Sequence, residues 1–147
     1  MARSAAKPAQ SGDHPVSRRI LALFYGLAGI GHFMFAAPLL TIVPAWVPFP
    51  AFLVAATGGF EVIAAALLLV PHPPLRRIAA VGLALYAIAV YPANIQHMIN
   101  DLGRASGGIG LWYHIPRLLL QPLLVLWPLQ ACGLLRRSMP NKNPPAR

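Results

Sequence analysis

The sequence predicts an all-α membrane protein, a four-transmembrane-helix bundle with both termini in the cytoplasm. Three observations carry this expectation. The 147 residues are 57% hydrophobic and only 10% charged, with a mean hydropathy of +0.61, too apolar for a water-soluble domain of that length. No Asp, Glu, Lys or Arg falls between Arg19 and Glu61, between Glu61 and Arg76, between Arg77 and Asp101, or between Arg117 and Arg136, so charge is cleared from stretches long enough to cross a bilayer. Ten of the twelve Lys and Arg lie before residue 20, at 76–77, or from 136 onward. Basic loops resist translocation, and an even number of crossings puts all three groups on the cytoplasmic side, leaving only Arg104 and Arg117 on the other.

Residues 1–17 are rich in Ala, Ser, Lys and Pro without an apolar period and are expected to form a disordered tail. Ser17-Arg18-Arg19-Ile20-Leu21 has the look of a twin-arginine export signal. A basic flank on an uncleaved first span fits better, because no small-x-small cleavage site ends the apolar run and three more spans follow. The first span is expected from about Ile20 to Ala36, stopping before Pro38. Pro38 to Pro50 then forms an uncharged loop with four prolines, expected at the outer interface with Trp46 at headgroup depth. Such a loop is placed to roof a pocket.

The second span is expected from about Phe52 to Val70, closed by Pro71-His72-Pro73-Pro74. The third runs from about residue 75 to Ile99, with Pro92 inside it removing the bond to the Ile88 carbonyl and predicting a kink. The fourth runs from about Pro116 to Leu135 and closes on Arg136-Arg137. The transmembrane domain is thus 18–137, and 138–147 form a C-terminal tail.

A formal net charge of +9 and a pI near 11.2 would by themselves suit a nucleic-acid binder. No aromatic residues alternate with basic ones on a polar segment, so neither a stacking platform nor a phosphate-tracking groove can be drawn, and nucleic acid is set aside as a partner in favour of the lipid bilayer. Cys132 is the only cysteine, which rules out an internal disulfide or a CxxC pair. Its place after the apolar run Leu123–Leu129 reads as that of a small buried hydrophobe.

Ionisable groups at bilayer depth are costly unless they face the bundle or water, which makes each a functional candidate. His32 lies on the first span one heptad after Tyr25. Glu61 lies near the middle of the second, flanked by Thr57, Gly58, Ala64 and Ala65, small enough for a neighbouring helix to approach. A carboxyl there is expected to be protonated or hydrogen-bonded. Asn94, His97 and Asp101 form one stripe on the third span, and His114, Arg117 and Gln121 form another on the fourth. The orientation puts these stripes in the outer half, so the expected ligand pocket is lined by His32, Glu61, Asn94, His97, Arg117 and Gln121, with Glu61 as its floor. His97 and His114 lie near helix ends, where histidines are more often interfacial than ligating. Two readings stand side by side: the polar set binds a ligand or does acid–base work on a lipophilic substrate, or it only packs the helices. No His-x-x-x-His or comparable spacing supports haem or metal ligation, and no metal is expected.

Gly-Ile-Gly-His-Phe at 29–33, Ile-Val-Pro-Ala-Trp-Val-Pro at 42–48, Gly-Gly-Phe-Glu at 58–61, Tyr-Pro-Ala-Asn-Ile-Gln-His at 91–97 and Arg-Leu-Leu-Leu-Gln-Pro-Leu-Leu at 117–124 together resemble the DoxX family of small bacterial membrane proteins. The resemblance covers nearly the whole chain outside the tails. It implies a four-helix fold in the bacterial inner membrane, and some relatives are associated with quinone-linked sulfur oxidation or with redox and oxidative-stress partners. The positions that carry the pattern are His32, Glu61, Asn94, Arg117 and Gln121. With one cysteine, the chain would need a partner to supply any thiol chemistry. The resulting expectation is a pocket for a quinone-like molecule beside a redox protein partner, with no stand-alone activity; the competing one is a non-catalytic scaffold or assembly subunit.

Overall fold

The computed structural model describes residues 13–106 and 108–135. The described residues form five helices in the order α1 (Pro15–Met34), α2 (Ala36–Leu40), α3 (Pro50–Leu69), α4 (Pro73–Leu102) and α5 (Leu111–Ala131), and no strand is among them. Most of the expected N-terminal tail, with Arg3 and Lys7, and the whole C-terminal tail, with Lys142 and Arg147, lie outside the described residues, as do Arg136 and Arg137.

Proline sets where three of the helices begin. Pro15, Pro50 and the pair Pro73-Pro74 occupy first-turn positions of α1, α3 and α4, where a missing N–H costs nothing and the fixed φ suits a helix. α1 therefore starts three residues before the expected boundary at 18, and Pro15–Ser17 are helical rather than tail. α4 continues through Pro92 to Leu102. α5 begins at Leu111, ahead of the expected Pro116, and carries Pro116, Pro122 and Pro128 inside it. The segment expected as an irregular loop after Pro38 opens inside the short α2, which lies against α1 and α3.

α3 and α4 are long and apolar enough to cross a membrane. α1 packs most extensively on α3 and α4 on α5; these two pairs meet through α3 against α4 and, more lightly, α1 against α5. The interior is made of small residues, with Ala22, Ala64, Ala65, Ala79, Ala80 and Ala131 buried beside Leu21, Leu68 and Leu83. Large apolar side chains point outward instead: Leu23 and Leu27 on α1, Ile63 on α3, Ile78 and Leu85 on α4, and Leu119 on α5 are all more than half exposed. Small residues inside let the helix backbones approach closely.

The closest approach is between α1 and α3. A Cβ on Gly58 would lie 2.6 Å from the His32 Cβ, and one on Gly29 would lie 2.7 Å from the Gly58 carbonyl oxygen. Neither space admits a methyl group, so these two glycines set the separation of the helices. Each glycine stands three residues before a polar side chain, Gly29 before His32 and Gly58 before Glu61. Three residues is nearly one helical turn, so the contact that brings the backbones together also brings the imidazole and carboxyl together.

Candidate functional site

The chain holds only three acidic residues, Asp13, Glu61 and Asp101, and each anchors its own polar cluster. At Glu61 the His32 Nδ1 lies 3.0 Å from the Ala28 carbonyl oxygen and 3.1 Å from Glu61 Oε2. A carbonyl only accepts, so Nδ1 carries the proton and directs it along α1 to Ala28. Glu61 Oε2 meets the ring edge without an aligned hydrogen bond and remains a buried acceptor with no partner among the described residues. Tyr25, 2% exposed, presents a hydroxyl that is likewise buried and unpartnered. Tyr86 of α4 stands beside the Glu61 carboxyl and Thr57, its ring centroid 5.5 Å from that of Phe60. Thr57 itself donates back to Leu53 and Val54.

The second cluster joins α4 to α5. Arg117 donates from Nη2 to Asn94 Oδ1 and from Nη1 to His97 Nδ1, both at 2.6 Å, so His97 accepts at Nδ1 and carries its proton on Nε2. Asn94 donates to Gln121 Oε1 at 3.1 Å, and Gln121 donates to the Ala87 carbonyl at 2.6 Å. One helical turn farther on, the fully buried Asp101 accepts from His114 Nε2 at 3.0 Å and from the Ile109 backbone N–H at 2.7 Å. Gly108 makes that turn possible. It has φ +61°, and a Cβ there would run into the Asp101 carboxyl.

The third cluster lies at the opposite end. Asp13 Oδ2 accepts from Arg76 at 2.8 Å and Oδ1 lies 3.6 Å from Arg18 Nε. The Trp127 indole donates to Ser17 at 2.7 Å, and the His14 N–H donates to the Ala131 carbonyl at 3.0 Å. The start of α1 is thereby tied to α4 and to the end of α5, beside the buried Cys132.

The six expected pocket residues thus separate into two groups: His32 with Glu61, and Asn94, His97, Arg117 and Gln121. No hydrogen bond or ion pair joins the groups among the described residues. Tyr25 was legible as a neighbour of His32 on its face, whereas Tyr86 had no sequence signal beyond lying on an apolar helix. Asp13 was lost in the expected tail, although its being one of three acids marked it. Two open grooves lie elsewhere, one of ≈ 550 Å³ beside Trp127 and Ser17 and one of ≈ 350 Å³ between α1 and α3 near Arg19. Among the described residues no cluster of His, Cys, Asp and Glu is arranged to hold a metal ion.

Fold and clusters define an all-helical protein with two helices fit to cross a membrane and buried polar groups at three places along its length. The chain belongs to the family described as a domain of unknown function (DUF8561), whose model matches residues 21–132. That range holds the Glu61 and Asp101 clusters and leaves Asp13 outside. No curated protein and no solved structure matches the chain.

Proposed function

We propose that this chain is a four-span, DoxX-like protein of the bacterial inner membrane with both termini cytoplasmic, and that the Tyr25–His32–Glu61–Tyr86 cluster receives the polar head of a small quinone-like molecule beside a redox partner. Four crossings are supported by the outward apolar faces of all four long helices and by the ring of contacts from α1 through α3 and α4 to α5.

The observation that carries the ligand reading is that the Tyr25 hydroxyl and Glu61 Oε2 are two of the buried side-chain atoms without a hydrogen-bond partner. An unsatisfied buried polar atom costs about 1–3 kcal/mol, and here a donor and an acceptor stand near one another on adjacent helices. A quinone carbonyl would accept from the Tyr25 hydroxyl, and a hydroxyl of the reduced quinol would donate to Glu61 Oε2. The apolar surroundings suit the remainder of such a molecule.

The test is native mass spectrometry with small-molecule identification on detergent-purified protein. A quinone should co-purify with the wild type, fall away in Glu61→Gln and Tyr25→Phe, and stay in Asn94→Leu. Wild-type protein that remains empty after quinone is added would refute the reading.

The scaffold alternative is favoured by the second cluster, where Arg117, Asn94 and Gln121 satisfy one another and the Ala87 carbonyl. Under that reading Glu61→Gln and Asn94→Leu both lower stability and change no bound molecule. Reporter fusions at the C-terminus, read on either side of the membrane, test the orientation.

A further inference from the structure

Resting on the reading that α1 and α3 cross the membrane, we propose that the groove between them seats one acyl chain of an anionic phospholipid whose phosphate pairs with Arg19. The groove, ≈ 350 Å³, is floored by Ala22, Gly26 and Ala65, with Leu69 at its edge, Arg19 at one end and Ile30 at the other. From Arg19 to Ile30 is eleven residues, about 16 Å of helix axis. That is about half of a ~30 Å hydrocarbon core, the depth of a single leaflet. The glycine contact farther along α1 draws the two helices together, and the small floor residues leave a channel bounded by larger side chains.

Charge decides which lipid. Four arginines, Arg18, Arg19, Arg76 and Arg77, cluster at this end, and Asp13 takes Arg18 and Arg76. Arg19 and Arg77 are exposed and have no acidic partner among the described residues. Of these two, only Arg19 lines the groove. An apolar slot one leaflet deep that ends on a free guanidinium matches a chain with a phosphate and no compensating headgroup cation, as in phosphatidylglycerol.

The experiment titrates delipidated full-length protein in detergent with dioleoylphosphatidylglycerol or dioleoylphosphatidylcholine and counts bound lipid by native mass spectrometry. The wild type should retain one phosphatidylglycerol in preference to phosphatidylcholine by about fivefold, the factor that one basic residue contributes near an anionic headgroup. Arg19→Gln, on the surface and checked for retained helicity by circular dichroism, should bring the preference close to one, while Arg77→Gln keeps it. The proposal is overturned by an Arg19→Gln protein that keeps the preference, by equal loss in both variants, or by a wild type that excludes lipid by forming a dimer. Carbonate washing of the source membranes separates the two failures: protein that stays in the membrane yet shows no lipid preference sinks the lipid site alone, and protein that washes off sinks the membrane reading with it.

Discussion

Replacing Gly58 by alanine puts a methyl group 2.6 Å from the His32 Cβ and 3.0 Å from the Gly29 carbonyl oxygen. Carbon atoms rest at about 3.5–4.0 Å, so α1 and α3 must part by about 1 Å. Overpacking of this kind costs about 1–3 kcal/mol, and alanine returns up to about 1 kcal/mol of helix propensity. With the full return the expected net loss is up to about 2 kcal/mol, or a fall in Tm of up to several degrees for a chain of this size. The same 1 Å carries the His32–Glu61 approach, 3.1 Å in the wild type, out to about 4 Å, past direct polar contact. Gly29→Ala should behave alike, because its Cβ would meet the Gly58 oxygen at 2.7 Å and the Val62 Cγ2 at 2.8 Å. Gly59 is the internal control: nothing lies within 4 Å of a Cβ there, so Gly59→Ala should leave Tm unchanged or raise it. Thermal unfolding in detergent, followed by circular dichroism, reads all three. Equal melting of the Gly58→Ala and Gly59→Ala proteins would refute the close helix contact and the placement of His32 that depends on it.

Three shorter predictions address the other clusters. Gly108→Ala forces a positive φ on a residue with a side chain and drives its Cβ into Asp101, so stability should fall by at least about 1 kcal/mol; an unchanged melt would count against the buried Asp101 turn. Asp13→Asn should cost about 1 kcal/mol, limited by the 24% exposure of the carboxylate, and a double-mutant cycle with Arg76→Gln should show positive coupling that shrinks in high salt. Cys132 is 6% exposed, so a maleimide should label the folded protein many times more slowly than the heat-unfolded one; equal rates would place the thiol outside the α1–α5 junction.

The helices were legible because charge is so sparse that its gaps outline them. Their ends were less so. Proline was read at Pro38, Pro71 and Pro116 as a stop or boundary, yet at Pro15, Pro50 and Pro73 it sits in a first turn, and at Pro116, Pro122 and Pro128 it lies inside α5. A proline marks a helix boundary without saying which side of it is helical. His32 and Glu61 were brought into one candidate site by depth, and the structure places them in contact. Asn94, His97, Arg117 and Gln121 were grouped with them on the same ground but bond to one another instead. Depth along the helices was readable from numbering and orientation. Rotation about each axis was not, because α3 and α4 are apolar nearly all round and a weak polar face fixes no azimuth. Tyr86 was missed for that reason.

Most of the internal polar bonding is settled within one helix pair at a time: His32 meets Glu61 inside α1–α3, and Asn94, Arg117 and Gln121 close their circuit inside α4–α5. If the chain enters a membrane in order of synthesis, its first half can therefore bring His32 and Glu61 together before the second half is made, and the second half can close the Asn94–Arg117–Gln121 circuit unaided. What awaits the meeting of the halves is the arrival of Tyr86 beside Glu61 and of Arg76 at Asp13, with the Trp127–Ser17 and His14–Ala131 bonds. The molecule is built as two nearly self-sufficient hairpins, so a break in the turn before Pro73 is the place where separately synthesised halves would be able to find each other again and complete the Glu61 cluster.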